Sequence, residues 1–386
     1  MLHNTASVAL LAGLLLANAA LAQPEQWLQY HTTREGRSDR WLDLTTNPPP
    51  NVALPKLGAK PYFAHWTTAL DPKGRWLCFD RARRYGPYDR LFIDSAGNGR
   101  LDDKSAIKPS RTDPSSAYFD SVRLLFKGED GPITYHLVLR FMNYNSDSNS
   151  DNDVRLLVMS GGFYAGTIDL GGKKQRLELI DANVNGAFND LASNPDACDH
   201  LVLGNNAGER SLGRLLEVDG QFYRLDVARD GAFIKVQKAQ NVLLGKVRVP
   251  ATISEFTALG EQGQFTRKPA KGELTLPVGS YRINQYLINR KDERGASWQL
   301  MGYGFNPAAD FEVAADKPAT LELGEPVRMV MQPSESGPEV SFSLRFLGRY
   351  NEPMQITKDS ERPRPPRLTL TSLDGSYRYT NSFEFG

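Results

Sequence analysis

Cysteine, histidine and long apolar runs are all scarce in this chain, and each scarcity closes off a class of function. The two cysteines, Cys78 and Cys198, leave room for one disulfide at most, and neither sits in a recognisable catalytic context. His31, His65, His136 and His200 form no HExxH pair or other close metal-ligand spacing, so a zinc hydrolase is not supported. GxSxG nucleophile elbows and phosphate-binding P-loops are absent. Lys and Arg number 46 against 45 Asp and Glu, a formal charge of +1, which lacks the basic excess that a nucleic-acid partner requires. Beyond the first two dozen residues no run approaches the roughly 20 apolar residues of a membrane span. Long amphipathic helical patterns are missing too.

What is present begins with an apolar stretch over residues 7–21, ending in Ala20-Leu21-Ala22 before Gln23. Small residues at that point fit a cleavage site, and residues 1–22 are expected to be a signal peptide, although MLHNT supplies no Lys or Arg. No Cys follows the site, so a lipoprotein anchor is not expected; the mature protein is placed in the periplasm or outside the cell. There Cys78 and Cys198 are free to pair, tying together two distant segments, or to stay apart as separate thiols.

The rest of the chain reads as mainly β, with antiparallel sheets. Gly 33 and Pro 24 accompany many short alternating runs. Residues 23–55, with TTNPPPN, look irregular, and a β-rich domain is expected over 56–244. Its strand candidates include FAHWTTAL, RWLCFDRA, YFDSVRLLFK and ITYHLVLRFM, while the polar residues 143–153 form a hairpin loop. Asp219-Gly220 and Asp230-Gly231 suit tight turns. A second domain, 245–386, opens with GKVRVPATI and continues through ELTLPVGSYRINQYLINR and EVSFSLRFLG. That pattern resembles immunoglobulin-like or transthyretin-like β-sandwich modules, which implies an architecture and no particular activity.

Two short loops carry the only site chemistry that stands out. Each follows an apolar run: LFIDSAGNGRLDD from Leu91 and LELIDANVNGAFND from Leu177. In the second, Asp181, Asn183 and Asn185 alternate, so a tight turn points three oxygens into one cavity; Gly186 permits the bend and the Ala187 carbonyl follows. Phe188 would anchor the loop, with Asn189 or Asp190 supplying a further oxygen. In the first, Asp94 and Asn98 match, Ala96 replaces the third ligand, and Gly99, the Arg100 carbonyl, Leu101 and Asp102 complete the pattern.

Over about ten residues each, both loops resemble those of EF-hands, dockerins and related extracellular calcium repeats, which implies bound calcium. Position twelve departs from that pattern: Ser105 and Ala192 stand where a carboxylate belongs. The closing ligand is then Asp103 for the first loop, and Asp190, Asp196 or Asp199 for the second. The alternative is an Asn-Gly turn whose Asp caps backbone amides without metal, toward which the first loop leans and the second does not.

These features point to an exported, calcium-stabilised β protein with a structural or binding role. Its partner could be a carbohydrate or cell-surface polymer met by exposed rings among Tyr85, Tyr88, Tyr281, Tyr286, Trp298 and Tyr303. The competing class is a secreted carbohydrate-active enzyme with a carboxylate pair, for which His65, Trp66 and Asp89 could line a cleft.

Overall fold

Alternating runs become strand after strand in the computed structural model, which describes residues 24–384 apart from 84–85, 103–104, 114, 129–130, 145–153 and 206–207. The expected signal segment 1–22, Tyr85, Asp103 and most of the polar hairpin loop lie outside the described residues. Among the described residues there are thirty strands and one short 3-10 turn, Pro307–Ala309, and nearly every pairing is antiparallel. The protein is mainly β. No described helix is long and apolar enough to cross a membrane.

Four sheets enclose the larger apolar core. One five-stranded sheet runs Asp39–Leu42, Val154–Ser160, Pro132–Asn143, Ser116–Lys127 and Arg111–Asp113 in spatial order. A second runs Arg210–Ser211, His200–Leu203, Lys173–Ile180, Gly162–Leu170 and Gln29–Thr32. A four-stranded sheet built on Phe233–Lys238 and a three-stranded sheet, Tyr62–Thr68 with Asp71–Asp80 and Arg90–Ile93, complete the set. Ser116–Lys127 shows how sequence drives this. Val122, Leu124 and Phe126 turn inward and are buried, while Arg123 and Lys127 face water. Each buried side chain of that size contributes roughly 1.5–3 kcal/mol. The strand carries a bulge between Phe119 and Val122, with Ser121 at φ 50°, which resets the alternation so that both flanking apolar residues stay inside.

The segment expected to be irregular does more than cover the core. Glu25–Trp27 pairs with Phe233–Lys238, Gln29–Thr32 with Gly162–Leu170, and Asp39–Leu42 with Val154–Ser160. It thereby stitches three sheets together. Asp219-Gly220 forms the expected hairpin turn, both residues lying at positive φ (51° and 72°).

A second apolar core gathers Phe256, Phe265, Tyr281, Tyr286 and Ile288 between a six-stranded sheet and a three-stranded one. Two outlying hairpins, Arg328–Ser336 with Glu339–Leu347 and Arg367–Thr371 with Arg378–Ser382, each form a sheet of their own. The cysteines do not pair. Cys78 lies in a small cluster with Phe63, Phe92 and Leu101, and Cys198 lies in another with Ala192 and Leu259. Burial pushes the Cys78 thiol up to about 12, with Asp80 adding to the effect, and burial raises Cys198 as well.

Candidate metal centre

The second loop leaves the end of Lys173–Ile180 inside the larger core, so its first acid is sealed from water. Asp181 is 0 % exposed. Its Oδ2 accepts from the Tyr135 hydroxyl at 2.7 Å and the Gly186 N–H at 2.6 Å, and its Oδ1 from the Asn185 N–H at 3.1 Å. Tyr135 is itself stacked on Trp66, ring centroids 5.7 Å apart. The strand Tyr62–Thr68 and the residue after it latch the loop backbone. The Trp66 indole N–H donates to the Val184 carbonyl (2.8 Å), and the Thr68 hydroxyl and Ala69 N–H donate to the Asn185 carbonyl (2.6 and 2.8 Å). Phe188 is buried, as expected of an anchor, edge-on to Tyr164 at 5.1 Å.

Two further carboxylates converge here. Asp199 is 1 % exposed; its oxygens accept from the Ala182 N–H (3.2 Å) and the Asp190 N–H (2.8 Å). One oxygen of Asp190 accepts from the side-chain amides of Asn183 (3.0 Å) and Asn185 (2.6 Å). Of the three acids open for the closing position, Asp190 and Asp199 are therefore brought in. Asp196 turns away to Arg282, 3.0 Å distant. Asn189 is exposed, and the Ala187 N–H is taken by the Asn185 side-chain oxygen at 2.8 Å.

Uncompensated charge sets this site apart. Burial raises the Asp181 carboxyl to about 6 against its hydrogen bonds, with Asp190 adding to the rise. Burial, then Asp181 and Asp190, pushes Asp199 well above the carboxylate range. Among the described residues no Lys or Arg forms an ion pair with Asp181, Asp190 or Asp199. No protein family, curated protein or solved structure matches this chain. Nor, among the described residues, do three or more His, Cys, Asp or Glu side chains stand in metal-holding geometry. Asn183 and Asn185 turn their amide hydrogens, not their oxygens, toward Asp190, while their oxygens accept from the Asn185 and Ala187 N–H groups and the Asn183 amide also donates to the Ala197 carbonyl at 2.7 Å.

The first loop shares the backbone but not the chemistry. Val184 and Gly97, each fourth in its loop, have φ 54° and 71°, and Gly186 and Gly99, each sixth, have φ 90° and 76°. Asp94 caps three backbone amides, those of Gly97 (2.7 Å), Asn98 (3.0 Å) and Gly99 (2.9 Å). The Asn98 oxygen accepts from the Arg100 N–H at 3.1 Å, and exposed Asp102 pairs with the Arg100 guanidinium at 3.0 Å. A cation already lies beneath: a Cβ placed on Gly97 would stand 2.6 Å from the Arg75 guanidinium, which is buried and ion-paired to Asp71.

Other candidates resolve into packing. Trp66, Tyr88, Tyr281 and Tyr286 are buried. His65 bonds the Lys73 carbonyl at 2.8 Å, and Asp89 caps the Ala82 N–H at 2.9 Å. Tyr303 is exposed, and half-buried Trp298 lies under Lys358 at 5.4 Å. The most exposed indoles, Trp27 and Trp41, belong to the amino-terminal segment, where QPEQWLQY and DRWLDL were too short and polar to attract attention.

Proposed function

We propose that the second loop holds a calcium ion between Asp181, Asp190 and Asp199, beside Asn183 and Asn185, and that this ion stabilises an exported β scaffold with a structural or binding role. The observation that carries the reading is the pair of fully buried acids, Asp181 and Asp199, beside a third acid and without a basic partner among the described residues. Buried charge needs compensation, and an oxygen-rich flexible loop suits calcium better than smaller or softer ions. Asp199 takes the part of the carboxylate that Ala192 does not supply. The first loop is read as metal-free, since the Arg75 guanidinium already lies beneath it and exposed Asp102 turns to Arg100.

Sealing also weighs against an enzyme. A glycosidase acid must reach its substrate, whereas the acids raised here are closed to solvent. A carbohydrate or surface polymer is the partner class that export and exposed aromatic rings support.

The test is thermal unfolding of chelator-treated protein during a calcium titration. Saturation at a hundredfold over Kd is expected to add about 2.7 kcal/mol. Asp181→Asn and Asp199→Asn should lose most of that gain while Asp94→Asn keeps it. A wild-type melting temperature unmoved by millimolar calcium would refute the metal site.

A further inference from the structure

One cross-strand row on the outer face of the first five-stranded sheet concentrates guanidinium groups beside an exposed indole. Trp41 stands opposite Leu157, Leu157 opposite Arg140, Arg140 opposite Tyr118 and Tyr118 opposite Arg111. Residues directly opposite share a face, so five strands present these side chains as one line about 19 Å long at the usual strand spacing. The Tyr118 ring holds two like charges in place. The Arg111 guanidinium carbon is 3.9 Å and that of Arg140 5.1 Å from the ring centroid.

Neither Arg111 nor Arg34 on the same hollow forms an ion pair with a carboxylate among the described residues; Arg140 acts on Asp113, and its Nε is buried without any hydrogen-bond acceptor. The hollow measures about 510 Å³, and its own acids are Glu35 and Asp120. Nearby Asp113 spends one oxygen on the Ser115 N–H and hydroxyl, at 2.9 and 3.0 Å; these bonds and, to a lesser degree, the Arg140 charge hold its carboxyl below the usual range. At the other end of the row Trp41 is 56 % exposed.

We propose that this face binds an acidic polysaccharide, its carboxylates received by Arg111 and Arg140 and a sugar ring laid against Trp41. The inference rests on the binding role proposed above and not on calcium. Three observations select this ligand class. Planar guanidinium forks match carboxylates in a bidentate way. The sheet's backbone amides are engaged in its ladders, so the face lacks the N–H cradle that typically receives a free phosphate. A line spanning five strands, charged at one end and aromatic at the other, suits an extended ligand of rings bearing acids more than a compact ion.

Calorimetric titration of the full mature chain with a galacturonate tetramer tests it, with cellotetraose, inorganic phosphate and phosphatidylglycerol vesicles as the other arms. The acidic tetramer is expected to bind, more weakly as NaCl is raised, and Arg111→Glu on the edge strand should weaken it at least tenfold at unchanged melting temperature. If that variant fails to fold, Arg140→Lys, which keeps the charge and loses the fork, should show a loss of similar direction. Equal binding of cellotetraose without salt dependence would overturn the acidic assignment and leave the binding role standing. No saccharide binding would overturn both. Phosphate or vesicles binding in place of the tetramer would overturn it in favour of a phosphate-bearing partner.

Discussion

At the scale of single residues, the two buried acids set a pH dependence opposite to that of ordinary surface carboxylates. Asp181 has its folded pKa raised from 3.8 to about 6, so without metal its contribution to stability is fully present below pH 3.8 and is lost as pH rises through 6. By linkage the loss amounts to roughly 3 kcal/mol for a shift of this size, and Asp199 adds to it in the same direction. Chelated protein is therefore expected to melt higher at pH 5 than at pH 7.5, and saturating calcium should narrow or reverse that order. Denaturation midpoints across this range check the sign; a chelated protein that gains stability toward pH 7.5 would contradict the assignment. The glycines separate along the same line. Gly186 lies at φ 90°, and an added Cβ would come within 2.9 Å of the Thr68 hydroxyl, whereas one on Gly99 would meet nothing nearer than 3.7 Å. Gly99→Ala should cost about 1–2 kcal/mol from backbone strain alone, and Gly186→Ala measurably more in the same urea titration. Asp181 was legible as a candidate ligand because alternation with Asn183 and Asn185 is a local signal. That Asp199 and not Asp196 lies against the loop was not legible, because it depends on how the NPDAC turn folds back and on an Arg282 far along the chain.

At the scale of elements, legibility followed the strength of alternation. Ser116–Lys127 and Pro132–Asn143 could be read because each buries several large side chains on one face. Gln29–Thr32 and Asp39–Leu42 could not, since QYHT and DRWL are short, largely polar and close to a proline-rich stretch; partners far along the chain make them strands. Leu28 shows what that pairing is worth. It is buried in the larger core and its N–H donates to the Ala232 carbonyl at 2.8 Å. Leu28→Ala should destabilise by about 2–5 kcal/mol, read as a lowered urea midpoint. A near-neutral result would mean that the amino-terminal strands only lie on the surface. The two acidic loops carry a related lesson: similar spacing and matching positive φ produced the same turn twice, and what distinguishes them arrives from elsewhere in the chain, Asp199 at the second and Arg75 beneath the first.

At the scale of the whole molecule, the segment that closes the candidate metal centre also touches the second core. Ala192 and Cys198 pack against Leu259, and Asp196 reaches Arg282. Backbone bonds from Arg214 and Leu215 to Glu261 and Gln262, at 3.0 and 2.8 Å, continue the contact. Holding that segment in place should couple the two cores. Calorimetry is expected to show one unfolding transition with calcium and two after chelation; a single transition in both conditions would show that the joint does not depend on the ion.

The amino-terminal stitching strands bear on how the protein is made. Glu25 lies opposite Lys235, Tyr30 opposite Tyr164 and Trp41 opposite Leu157, so these strands leave the ribosome long before their partners exist. Contacts so distant in sequence slow folding and keep sheet edges open in the meantime. A chain of this design closes its sheets only once its later strands have been made.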